Sequence, residues 1–123
     1  MISALLLVLL MAMPAQAQRS GCGMGLGLEA LRAAERPLRE GMSAGSLSAG
    51  RTLGGTAADR LTDAAVQLEG CGCQQVAGHL RDAAGLAEEV RAEASLERLR
   101  RVLDRAAFSA GLARARLDRR GCS

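Results

Sequence analysis

Residues 70–76, Gly-Cys-Gly-Cys-Gln-Gln-Val, set two cysteines one residue apart in the middle of a 123-residue chain. The other two, Cys22 and Cys122, stand at equal distances on either side, with 49 positions from Cys22 to Cys71 and from Cys73 to Cys122. Each half opens on a Cys and closes on Gly-Cys (Gly70-Cys71, Gly121-Cys122). Beyond Cys73 the apolar residues Val76, Leu80, Ala83, Ala87, Val90 and Ala94 alternate steps of four and three, a helical seam. The seam then loses phase and restarts at Leu96, continuing through Leu99, Leu103, Ala106, Ala110, Ala113 and Leu117. A tight turn over residues 93–95, with Ser95 as N-cap, accounts for the break; the rival is one long helix with a stutter.

Working towards the N-terminus, Leu61, Ala65 and Leu68 share a helical face, for which Thr56 is the expected N-cap. Residues 43–55, Ser-Ala-Gly-Ser-Leu-Ser-Ala-Gly-Arg-Thr-Leu-Gly-Gly, read as a Gly/Ser-rich linker. Leu28, Leu31, Ala34, Leu38 and Met42 form another helical stripe, which Pro37 is expected to kink or divide. Residues 18–27, with four alternating glycines, read as a flexible lead-in to a single helical domain over 28–123. No segment alternates with period two long enough for a strand. The fold class is all-α: a small antiparallel bundle of two tandem αα-hairpins, stapled by disulfides at one end.

In an up-down-up-down bundle the start of the first helix, the second turn and the end of the fourth helix lie at the same end, which is where all four Cys fall. Bonding Cys71 to Cys73 would close a small strained ring. The apparent duplication favours Cys22–Cys71 with Cys73–Cys122, while the crossed pairing, Cys22–Cys73 with Cys71–Cys122, stays geometrically open. One bridge across a loop of this length contributes roughly 4 kcal/mol in the chain-entropy model. The second reading is that Cys22, Cys71, Cys73 and Cys122 are thiolates holding Zn or Cu(I), or a redox carrier. Their spacing lacks the two Cys pairs of common zinc motifs, and His79 has no partner at ligand spacing, so the favoured reading has no metal or other cofactor.

Residues 1–17 carry ten consecutive apolar residues, Ala4 to Met13, then Pro14 and Ala15-Gln16-Ala17. Ten are too few for a membrane span, which takes about twenty, and Ala-x-Ala is a signal-peptidase pattern. The expectation is a secretory signal peptide, with no transmembrane span in the mature chain and an oxidising destination. The abundance of Ala, with every basic residue an Arg, suggests a GC-rich coding sequence and hence a bacterial periplasm.

The composition narrows the functional classes. Without Lys there is no Schiff-base or P-loop lysine. One Phe and no Trp or Tyr leave no platform for stacking bases, and the net charge of +3 is dispersed, so nucleic acid is not expected as a partner. No set of residues has catalytic spacing. The leading expectation is a small exported, non-enzymatic helical protein acting through its surface. On a helical wheel Phe108 lies about 180° from the seam of its helix. Leu112, Arg101 and Arg105 lie near it, with Arg98, Arg116 and Arg119 extending the stripe. This patch suits a protein partner, self-association or weak contact with an anionic envelope surface. The mature chain should begin at Gln18 and, unreduced, should lack all four thiol hydrogens; intact mass spectrometry of the exported protein checks both, and a mass retaining residues 1–17 would remove the compartment argument.

Overall fold

The computed structural model describes residues 21–122, and among these the chain forms α1 (Met24–Met42), α2 (Leu47–Gly70), α3 (Gln74–Glu89) and α4 (Leu96–Arg120), with a 3-10 turn at Val90–Ala92. The expected leader over 1–17 and its cleavage after Ala17 lie outside the described residues. Each helix packs against its neighbours in sequence and α4 closes back on α1, so the result is an all-α antiparallel bundle. The interior is thin and apolar: Leu31, Leu38, Leu61, Leu68, Leu80, Leu99 and Leu103 alternate with Val76, Val90 and many Ala. No polar or charged side chain is buried among the described residues.

At one end the chain turns between α2 and α3 through Gly72, whose φ of +84° favours a residue without Cβ. The Cys73 N–H donates to the Leu68 carbonyl and the Gly72 N–H to Glu69, both at 2.9 Å. These two bonds form a Schellman closure that satisfies the last carbonyls of α2. Cys71 therefore caps α2 and Cys73 begins α3. The bridges run Cys22–Cys71 and Cys73–Cys122, with Cα separations of 5.1 and 4.5 Å. The pairing is that of the two-hairpin reading; the crossed pairing is not formed.

The far end is held by arginines on carbonyl oxygens. Arg51 donates twice to the Glu93 carbonyl, at 2.9 and 2.6 Å, Arg91 to Gly55 at 3.0 Å and Arg100 to Ala44 at 2.5 Å. Ser95 caps α4, its hydroxyl accepting from the Arg98 N–H, so α3 and α4 are separate helices. Val76, Leu80, Ala83, Ala87 and Val90 of the first seam are buried, whereas Ala94 is exposed in the turn.

Three boundaries differ from the sequence reading. The linker expected over 43–55 is confined to a short turn: Ser46 caps α2, accepting from the Ala49 N–H, and Leu47 onward is helical. Thr56 is thus inside α2, its hydroxyl donating to the Thr52 carbonyl. The physical reason is close approach rather than flexibility. A Cβ on Gly50 would stand 2.8 Å from Leu99 Cδ2, and one on Gly54 would overlap Val90 Cγ2. Second, α1 starts at Met24, inside the expected lead-in over 18–27, because Gly27 packs on Leu68. Third, α1 runs undivided through Pro37, which is itself buried beside Leu38.

Replacing an interior helical Gly by Ala ordinarily gains about 0.8–1 kcal/mol of helix propensity. Gly54→Ala should instead destabilise by about 1–3 kcal/mol, because Val90 is fully buried and stiff. Gly78→Ala, with nothing within 4 Å of the new Cβ, should stabilise by about 0.5–1 kcal/mol. Urea unfolding of the oxidised protein checks the pair; equal gains would mean that α2 does not approach Val90 this closely.

Candidate interaction surface

The bundle seam of α4 comprises Leu99, Leu103, Ala106, Ala110 and Ala113, all buried. Phe108 points away from it and is 69% exposed, with Leu112 one turn on at 39%. Both lie where the wheel puts them, on the outer face. Arg101 and Arg105 are exposed beside them. Arg101 pairs with Glu97 at 3.0 Å, and neither Asp104 nor Arg105 has a side-chain hydrogen bond or ion pair among the described residues. Of the outer stripe, Arg98 reaches Glu93 at 3.7 Å and Arg119 donates to the Ala115 carbonyl, while Arg116 is half-buried. The helix carries eight Arg against Glu97, Asp104 and Asp118. Arg charge does not titrate at physiological pH, so this field persists.

A second exposed apolar patch escapes the sequence reading. Leu26 on α1 and Val66 on α2 are 62% and 57% exposed, and they line an open groove of about 530 Å³ with Ala30 and Ala33. Leu26 lies in the expected lead-in and so was assigned no face. Val66 was legible, since it falls outside the Leu61, Ala65 and Leu68 set. Another groove, of about 330 Å³, runs between α1 and α4 over Leu38, Ala107, Ala110 and Gly111. The half-buried pair of Glu35 and Arg114 lines it, the guanidinium donating at 2.9 and 2.5 Å.

Of the alternative roles for Cys22, Cys71, Cys73 and Cys122, metal binding needs thiolates, and all four sulfurs are in disulfides, whereas a redox carrier would hold disulfides in its oxidised form. His79 is half-buried on α3, with no side-chain partner among the described residues. No group of three or more His, Cys, Asp or Glu suited to a metal ion occurs among the described residues. Most ion pairs lie on solvated surfaces, the half-buried Glu35 and Arg114 apart. Glu29 and Arg32 do not pair, and Arg36 with Glu40 does, at 2.7 Å. The hydrogen bond that Arg36 donates to Glu40 raises its pKa above the ordinary value, and the one that Arg91 donates to Glu88 does the same. Compared with protein-family models, curated proteins and solved structures, the chain finds no match.

Because Phe108 and Leu112 are outside the core, replacing both with Ser should change the unfolding free energy by less than about 1 kcal/mol. Thermal or urea denaturation checks this. A loss of roughly 3 kcal/mol or more would place Phe108 in the core and end its candidacy as a contact residue.

Proposed function

We propose that this is an exported, non-enzymatic helical bundle that acts by presenting the outer face of α4 to a partner. The observation that carries the reading is the exposure of the only aromatic residue, Phe108, beside Leu112 and within an Arg rim. An exposed Phe loses contact with water when it docks, and neighbouring Arg steer an acidic surface towards it. The interior supports a scaffold role, since no polar or charged side chain is buried among the described residues. Two disulfides suit the oxidising compartment to which the Ala15-Gln16-Ala17 pattern would direct the chain, with a bacterial periplasm as the preferred location. Among the described residues no helix is long and apolar enough to cross a membrane, which is compatible with release from it.

A photoreactive phenylalanine analogue at position 108, activated in the native compartment, tests the reading. A discrete adduct, identified by mass, is expected from position 108 and not from the exposed control position Gln75. No adduct at 108, or the same products from both positions, would overturn it.

A further inference from the structure

The large exposed apolar side chains among the described residues fall into two sets that share no helix. Phe108 and Leu112 form a convex pair on α4. Leu26 and Val66 border the concave groove between α1 and α2. Their charges differ in balance: the groove carries Glu29 and Asp63 with one Arg60, whereas on the α4 patch Arg101 pairs with Glu97 and Arg105 stands beside Asp104, within a helix of eight Arg and three acids. The three groove side chains make no ion pair or hydrogen bond among the described residues, so their charge is available to a partner. The same asymmetry holds for the whole described chain. Outside α4 it bears seven Arg against ten Asp and Glu, whereas α4 bears eight Arg against three acids.

We infer that Phe108 and Leu112 of one copy seat in the α1–α2 groove of a second copy, between its Leu26 and Val66. This rests on the reading of the outer face of α4 as the contact surface. The contact is heterologous, because the two patches differ and the pair keeps one of each free. A twofold pairing of α4 with α4 is disfavoured, since it brings together two helices that each carry eight Arg against three acids. An anionic lipid surface would attract the Arg residues, but it meets Asp104 in the same patch and leaves Leu26 and Val66 uncovered. A second copy covers both apolar sets and brings Arg105 and Asp104 to a groove that carries Glu29, Asp63 and Arg60. With only a two-residue anchor the contact is small and therefore weak.

Sedimentation of the oxidised protein over a range of concentrations tests this. The wild type should grow in mean mass with concentration, and raising NaCl from about 20 to about 500 mM should weaken association about tenfold. Phe108→Ser with Leu112→Ser removes the convex set, and Leu26→Ser with Val66→Ser removes the groove's apolar walls. Each double variant should stay monomeric while keeping its unfolding temperature within a few degrees. An equal mixture of the two should form a dimer that grows no further, because only one intact patch of each kind remains. A groove variant that associates like the wild type would overturn the inference while leaving the α4 surface in place. Wild type that stays monomeric at about 1 mM would also overturn it. Binding of that monomer to phosphatidylglycerol vesicles would then assign the α4 face to lipid, and cross-linking at position 108 would still report its use.

Discussion

Everything in this bundle is referred to the covalent junction around Gly72. One residue in the left-handed region lets α2 end, turns the chain and starts α3, and it separates two cysteines that point their bonds to opposite termini of the chain. Cys71 collects the start of α1 and Cys73 the end of α4. Four helix ends are therefore fixed within a few ångströms of one turn. Each bridge removes unfolded-chain entropy over 49 positions, a contribution comparable to much of the stability of a small domain. Few large side chains are then needed to complete the core.

That economy shows in the packing. Helices lined by Ala and Gly approach closely, so dispersion contacts involve backbone and short side chains rather than interdigitated aromatics. Gly50 beneath Leu99 and Gly54 beneath Val90 express this in α2, where a glycine acts as a socket for a neighbour's side chain. The same thinness explains why Phe108 is outside. A small-residue seam such as Ala106, Ala110 and Ala113 leaves no room for a ring, and the outer face accepts it.

The helical seams of α3 and α4, the Ser95 cap and the cysteine pairing were legible because each depends on local periodicity or on equal spacing. The start of α2 was not. Gly and Ser over 43–55 carry the composition of a linker, and what makes residues 47–55 helical is Val90 and Leu99 from distant parts of the chain. Pro37 misled in the same direction, since tertiary packing of Leu31, Ala34 and Leu38 carries α1 across it. For the candidate surface, a wheel centred on the seam located Phe108 and Leu112. It did not locate the groove, whose walls belong to two helices and exist only once α1 lies on α2.

The placement of both bridges at one end has a consequence for cleavage of the backbone. The turns at residues 43–46 and 93–95 lie at the opposite end, where no bridge crosses among the described residues and Arg51, Arg91 and Arg100 bond to carbonyl oxygens. A cut in the first turn severs α1 from α2, yet Cys22–Cys71 still joins them; a cut in the second severs α3 from α4, yet Cys73–Cys122 still joins those. The doubly nicked chain remains one covalent molecule of three peptides in their original order around Gly72. A single cut in each turn thus leaves the peptides covalently joined, and separating them requires reduction of a disulfide.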